Sequence, residues 1–371
     1  MAALRVREVG LISLLVVVAV SFVLASVAAQ GSDEKAIAFT ALSRQPAQEG
    51  NEAEWNSYVE RVVSRDIIKR KQMQTQELLG AMGVDDTMGV AAAVPKGRTI
   101  IVDKQGKGHF RKVQDAIDSI KEGNKKRITI IIRAGTYVEK CRIPKTKPFI
   151  TLLGSGTKTV LVWSDTAGKA GGTALTPAPP GGSVGKQAVA LRIQGDKGAF
   201  YRCRFFGAQD TLYDKQGRHY FRNCFIQGSI DWIFGNAQSM YHCCTIKSIA
   251  KRNSGSITAQ KRSSKNSPTG FSFVRCKIFG TGSIYLGRAW GTHSRVVFIK
   301  CHMAKMILPI GWQDWNDPAR QKTVFYAEYS CTGPGANREG RVKWSKLLSA
   351  KQAAPFYSYR FIDGHKWLNK T

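Results

Sequence analysis

Acidic side chains are scarce in this 371-residue chain: 26 Asp plus Glu stand against 56 Lys plus Arg, a formal net charge of +30. A balance so one-sided points to an acidic partner: nucleic acid, anionic lipid or an anionic polysaccharide. Gly 36 and Pro 12 are too few for a low-complexity chain, and an apolar share of 43% is that of an ordinary globular protein. Disorder along the whole length and a multi-span membrane protein are thereby excluded. Cysteine is absent before Cys141, and the eight cysteines at 141, 203, 224, 243, 244, 276, 301 and 331 form no C-x-x-C pair. A zinc ribbon or thioredoxin-type site has no support, and eight is too few for a disulfide-built scaffold. Buried small residues, with one or two bridges, are the expectation. The six histidines show no H-E-x-x-H spacing, and no serine stands in a nucleophile elbow between a strand and a helix.

The N-terminus narrows the choice of partner. Arg5 and Arg7 precede an almost wholly apolar run from Leu11 to Val27, and Val27-Ala-Ala29 supplies small residues before Gln30. This pattern predicts a secretory signal peptide over 1–29, cleaved after Ala29. The alternative is an uncleaved membrane anchor, since the run approaches spanning length. Export makes nucleic acid an unlikely partner and permits disulfides. Residues 30–93 are polar and free of cysteine, with Trp55, Tyr58, Val62 and Val63 at helical spacing. They are expected to form a helical N-terminal extension. Pro95-Lys-Gly97 then marks the entry to a main domain over 94–371.

From Thr99 the pattern becomes one of short strands. Thr99–Val102, Arg127–Ile132 and Phe149–Leu153 are β-branched, apolar runs, with a short helical pattern over Val113–Ile120. An internal repeat decides the architecture. Phe200, Cys203, Gly207 and Asp210 recur as Phe221, Cys224, Gly228 and Asp231, each offset by 21. The Phe-x-x-Cys element returns at Phe273/Cys276 and Phe298/Cys301, with Met240/Cys243 as a weaker copy. A period in the low twenties without helical patterning predicts a solenoid of strands, an all-β, right-handed, single-stranded parallel β-helix. Cys203 and Cys224 then sit at matching positions on adjacent coils, compatible with a bridge or with a ladder of free thiols.

In such a helix, residues one coil apart stack about 4.8 Å apart. Asp210 therefore lies over Asp231, and Gln187 lies one coil before Gln209 and Asp210. Two carboxylates this close cannot both ionise easily, which yields one acid and one anion. On spacing alone, a hydrolytic pair and a solvated ladder of turn aspartates fit equally well.

The blocks around this column carry more. Gly135-Thr-Tyr-Val-Glu139, Gln187-Ala-Val-Ala-Leu191, Gly207-Ala-Gln-Asp-Thr-Leu-Tyr213, Ile230-Asp-Trp-Ile-Phe-Gly235 and Leu286-Gly-Arg-Ala-Trp290 occur in that order. The set closely resembles the signature blocks of plant pectin methylesterases, from about Thr99 to Leu368. The resemblance implies a parallel β-helix and an aspartyl esterase mechanism using no metal or cofactor. Asp231 takes the nucleophile's place, Asp210 that of the acid/base and Gln209 that of the oxyanion stabiliser. Gln187 matches a helper in the same site, and Arg288 and Trp290 match substrate-contacting positions. The implied substrate is methyl-esterified homogalacturonan, hydrolysed to free carboxylate and methanol by a secreted, monomeric cell-wall enzyme. A proteinaceous inhibitor is a further candidate partner.

Three positions depart from the family's pattern. Trp232 replaces a usual Phe beside Asp231, where overpacking would cost about 1–3 kcal/mol or shift Asp231. Ala289 replaces a frequent Pro. Ser164–Lys186 is mostly Gly, Ala, Pro, Ser and Thr where members carry more strands, as if one coil were absent. The coil bearing Gln187 would then stack directly on the one bearing Phe149–Leu153, with exposed strand edges and a weakened cleft. This shortfall supports a second reading, a pectin-binding β-helix with little or no activity. A calcium-dependent pectate or pectin lyase is a third, for which the Gln-Asp and Asp-Trp-Ile-Phe-Gly pairing has no use.

Overall fold

A computed structural model of the chain describes residues 97–163, 187–251 and 255–368. The predicted signal peptide, the extension over 30–93 and the short segment 164–186 lie outside the described residues. Twenty-four strands form three sheets, one of ten strands and two of seven, and every strand pair is parallel. Seven coils give one strand to each sheet, and the ten-stranded sheet has three more, Arg98–Val102, Phe325–Tyr329 and Lys346–Leu347. Leu191–Ile193, Gly198–Tyr201 and Arg204–Phe206 are followed by Leu212–Asp214, Arg218–Arg222 and Phe225–Gly228, which pair with them in the same order. This is the predicted parallel β-helix.

The Phe-x-x-Cys element is the corner of the coil. Its phenyl ring ends one strand inside the core, and the cysteine re-enters the core after a single left-handed residue. Arg202, Asn223, Cys243, Arg275, Lys300 and Ser330 hold this corner at φ between 51° and 54°. One left-handed residue turns the chain sharply enough to begin the next sheet. The rings of Phe200, Phe221, Tyr241, Phe273 and Phe298 stack in one column, with centroids 4.4, 4.7, 4.6 and 4.6 Å apart. Offset stacking adds to the burial of each ring. The third copy is therefore Tyr241/Cys244, one residue later than the expected Met240/Cys243. That coil has 20 residues instead of 21, since Phe221 pairs with Tyr241, and Cys243 is the exposed corner residue.

All eight cysteines are free thiols, so the expected one or two bridges are absent. The reason lies in the ladder. Cys203, Cys224, Cys244, Cys276, Cys301 and Cys331 each aim their Sγ at a carbonyl of the preceding coil, at 3.3–3.7 Å. Each thiol is thereby satisfied as a donor to a backbone carbonyl without a bridge.

The three ladders run unbroken past the short segment. Cys141 pairs with Leu191, Thr151 with Ala199 and Val160 with Arg204. The coil after Gln187 does stack on the coil of Phe149–Leu153, but the expected exposed edges are not formed. Leu152, Leu161, Phe200 and Phe205 close the core there with no exposure. The helix Val113–Asp118 packs against the first strand, Arg98–Val102, and its neighbours at one end of the core. The helix Ala350–Tyr357, started by a capping box on Ser349 and Gln352, lies on the ten-stranded sheet. Coils after Tyr241 lengthen, with Phe273 its partner 32 positions on. The extra residues fall in loops flanking the seven-stranded sheet that carries Asp231.

Candidate active site

The seven-stranded sheet holding Leu212–Asp214, Ile230–Gly235, Ser256–Gln260 and Tyr285–Arg288 builds the site. Its pairing aligns Arg142, Arg192, Tyr213, Phe234, Ala259, Arg288 and Gln313 in one row across the strands. Residues at one register of a sheet share a face. A second line of residues lies beside this row. Gln209 pairs with Ile230, and the Asp210 amide donates to the Ile230 carbonyl at 3.0 Å. Asp210 and Asp231 therefore sit at matching points of adjacent coils, as the 21-residue offset predicts.

Both aspartates have left-handed backbones, φ 62° at Asp210 and 48° at Asp231. At Asp231 a bulge goes with this: Ile230 pairs with Ser256 but Ile233 with Thr258, three residues against two. A bulge re-aims a side chain that regular alternation would send elsewhere. The adjacent Trp232 is wholly buried in the core. Gly228 makes room for it, since a Cβ there would stand 2.1 Å from the Trp232 Cβ. The indole thus occupies the interior, while the Asp231 carboxylate reaches Arg288. The cost is a buried indole N–H with no partner among the described residues.

Arg288 binds Asp231 with both arms of its fork. Nε donates to Oδ1 at 3.0 Å, and Nη2 donates to Oδ2. Its guanidinium lies 4.5 Å above the Trp315 ring. Burial lifts the Asp231 carboxyl above the usual carboxylate range, while the Arg288 hydrogen bonds and charge pull it back down. Asp210 is pushed well above that range by burial and then by the Asp231 charge, with only the Arg288 charge opposing. Of the two, Asp210 is the one that keeps a proton and Asp231 the one that ionises first.

Gln209 places its amide Oε1 in a buried position without a partner among the described residues. The next coil out carries Gln187, half-buried, and the Ala188 amide donates to the Gln209 carbonyl at 3.0 Å. Asp210, Asp231 and Arg288 are thus brought together, with Gln209 and Gln187 at adjoining backbone positions on the same and the preceding coil. Trp290 lies half-buried at its edge, 6.2 Å from the Phe234 ring, with Lys261 Nζ 4.2 Å over its own ring.

An apolar cluster adjoins these residues, and apart from Trp290 it escaped the sequence reading. Ala188, Val189, Phe234 and Ala259 form it, with Trp163, Tyr213, Trp290 and Trp315 packed against them. Tyr213 and Phe234 stack at 4.3 Å and are themselves 21 residues apart. The offset that paired the aspartates would have paired these rings too. Trp163 and Trp315 carry no such signal, because they come from loops.

The sequence model of the Pectinesterase family matches residues 99–365. Pectinesterase QRT1 of Arabidopsis thaliana is 47% identical over 300 residues, covering 73% of this chain and 79% of that protein. Probable pectinesterase 8 of the same plant is 47% identical over 298 residues, covering 72% and 76%. The structure of pectin methylesterase from carrot aligns with a TM-score of 0.63 at 33% identity, covering 74% of this chain and 96% of that one. The 300-residue match occupies 73% of 371 residues, which is fewer than 300, so that relative carries residues this chain lacks. The chain belongs to the pectinesterase family.

Proposed function

We infer that this protein is a carboxylic ester hydrolase that removes methyl groups from homogalacturonan, with Asp231 as nucleophile and Asp210 as acid and base. One observation carries the reading: two carboxyl groups at matching points of adjacent coils, one held by Arg288 and the other left to its proton.

The ionised Asp231 attacks the ester carbonyl carbon. The carbonyl oxygen becomes an oxyanion, and the Gln209 amide, helped by Gln187, donates N–H to it. Such a donor is worth roughly 3–4 kcal/mol in well-studied cases. As the tetrahedral centre collapses, the bond to methoxide breaks, and Asp210 gives that oxygen its proton, releasing methanol. The acyl group is now on Asp231. Asp210, now a carboxylate, takes a proton from water, whose oxygen attacks the acyl carbon and frees Asp231. Ester and water have become free acid and methanol, and Asp210 is protonated again. Arg288 orients Asp231 throughout and disperses its charge. Trp290 and the aromatic cluster suit the apolar face of a sugar.

The remaining expectations are part of the same proposal. A signal peptide over 1–29 and a spacer over 30–93 precede a β-helix domain over 94–371, in a secreted, monomeric cell-wall enzyme open to a proteinaceous inhibitor. The continuous ladders beside 164–186 support an active enzyme over a purely binding one. Methanol release from highly methylated pectin by the purified chain tests the function. No release, together with no ultraviolet-absorbing unsaturated product, would leave a binding protein; an unsaturated product would indicate a lyase.

A further inference from the structure

Away from the catalytic sheet the chain gathers a second concentration of charge. Residues 232–313 contain no aspartate or glutamate and twelve lysines and arginines. Part of that charge collects at the Phe-x-x-Cys corner, between the ten-stranded sheet and the seven-stranded sheet that lacks the aspartates. A strand of the ten-stranded sheet separates this corner from the catalytic sheet in each coil, so the two lie on different sides of the solenoid. Each corner residue donates its amide to the next coil: Asn223 to His242, Cys243 to Val274, Arg275 to Ile299 and Lys300 to Tyr329, at 2.8–3.1 Å. The corners therefore stack in a column about 4.8 Å apart, with the exposed Arg275 and Lys300 on successive coils. Arg222 flanks the column on the ten-stranded sheet, and Lys277 flanks it on the other. No ion pair among the described residues engages Arg275, Lys277 or Lys300. The His242 ring registers the local field: burial, then the charges of Arg222 and Arg275, hold it down to about 4.

The C-terminal part of the chain brings aromatic rings to the same corner. Tyr357 and Tyr359 are 38% and 41% exposed, and with Ile310 and Leu347 they are the large apolar side chains left exposed among the described residues. The Tyr357 ring lies 5.8 Å from the Arg275 guanidinium and 5.3 Å from Lys300 Nζ. Tyr359 packs edge-on against Tyr220 at 5.4 Å, with His242 6.3 Å away. Unneutralised cations one coil apart repel, and an exposed ring leaves apolar surface in water. A ligand that stacks on the ring and gives each cation a carboxylate relieves both.

We propose that this corner is a second polysaccharide site, where Arg275, Lys277 and Lys300, with Tyr357 as platform, bind unesterified polygalacturonate lying along the solenoid axis. The polymer presents carboxylates in line, as the column presents cations in line. Charge alone accepts any polyanion; the tyrosine selects one with an apolar sugar face. The inference goes beyond the hydrolase reading. It concerns retention on polymer already free of methyl groups, which leaves the catalytic groove to another stretch of chain.

The test is the Kd of the full chain for immobilised, calcium-free polygalacturonate, read at low and at high salt. Arg275→Gln/Lys300→Gln should bind about tenfold more weakly than the wild type at low salt, with the difference shrinking at high salt. Its melting temperature should be unchanged, because both side chains are exposed. Lys125→Gln/Lys126→Gln removes the same charge from exposed positions before the strand Ile128–Ile132, near the other end of the sheet. That variant should stay within about twofold of the wild type. Tyr357→Ala should weaken polygalacturonate binding by about threefold at high salt, where charge is screened, and leave binding to polyglutamate unaltered. No loss in the Arg275/Lys300 variant, or an equal loss in the Lys125/Lys126 variant, would overturn the proposal. So would a Tyr357→Ala protein that binds both polymers as the wild type does, since the corner would then be a patch for polyanions of any kind. None of these measurements needs turnover, so a failure to release methanol from pectin would defeat the hydrolase reading and leave this one standing.

Discussion

Arg288 reaches across the strand Ser256–Gln260 to hold both carboxylate oxygens of Asp231, 57 positions earlier in the chain. The fork fixes the direction in which the carboxylate points, and its charge opposes the burial that would otherwise keep Asp231 protonated.

Replacing Arg288 by Gln should lower kcat/KM by about 10²–10³-fold, because both orientation and ionisation of Asp231 suffer. The sign of the pH effect is set by the charge removed. Without the guanidinium the Asp231 carboxyl rises further, so the acidic limb of the pH profile moves to higher pH. Arg288→Lys should recover little, since an ammonium cannot make the two parallel bonds. An unshifted acidic limb in Arg288→Gln would contradict this role.

Asp210 bears on stability as well as on chemistry. Its carboxyl is raised in the folded protein, so the folded state binds a proton that the unfolded state has already released. Stability from this proton is fully present below the ordinary carboxylate range and is lost as pH rises toward the raised value. Asp210→Asn removes that penalty. It should melt higher than the wild type at neutral pH, by about 0.5–2 kcal/mol, with little difference in acid. Turnover should fall by about 10²–10⁴-fold, the worth of a general acid and base. An equally stable variant at neutral pH would argue against a buried, protonated Asp210.

The thiol ladder predicts a distinctive alkylation pattern. Unfolded without reductant, the protein should take up eight alkylating groups, since none of its cysteines is bridged. In the native state Cys243 should react first, because it alone is exposed. Peptide mapping by mass spectrometry reads both results. A linked Cys203–Cys224 peptide would contradict the carbonyl-directed ladder.

Gly228 is fixed by packing, not by its backbone angles. A methyl there meets the Trp232 Cβ at 2.1 Å and the Ala208 carbonyl at 2.7 Å, both close to the backbone. Gly228→Ala should destabilise by about 1–3 kcal/mol or more and reduce activity by disturbing the bulge at Asp231. Trp232→Phe should not rescue it, because the contact is with the Cβ that both residues share. A normal melting temperature for Gly228→Ala would show that the coil relaxes more easily than the contacts indicate.

The sequence made the local period legible and the later coils much less so. Phe200/Phe221 and Asp210/Asp231 share one offset because no loop intervenes between those coils. After Tyr241 the offsets become 32 and 25, as loops lengthen beside the site while the core positions stay in register. Tyr241 was missed because a tyrosine stands where phenylalanine repeats, and its hydroxyl is accommodated by Asp214 at 2.7 Å. The aspartates, Gln209 and Arg288 were legible from their blocks. Trp315 was not, since a loop brings it over Arg288. The space that Trp232 occupies was not legible, because Gly228, which leaves it, reads as an ordinary repeat glycine.

The most direct test of the whole account is methanol release by Asp231→Asn on methylated pectin, compared with the wild type. The change removes the attacking oxygen's charge and almost no volume. Release should fall on the order of 10³-fold or more, with pectin binding retained. Methanol release near the wild-type rate from that variant would contradict Asp231 as the nucleophile and the chemistry built on it.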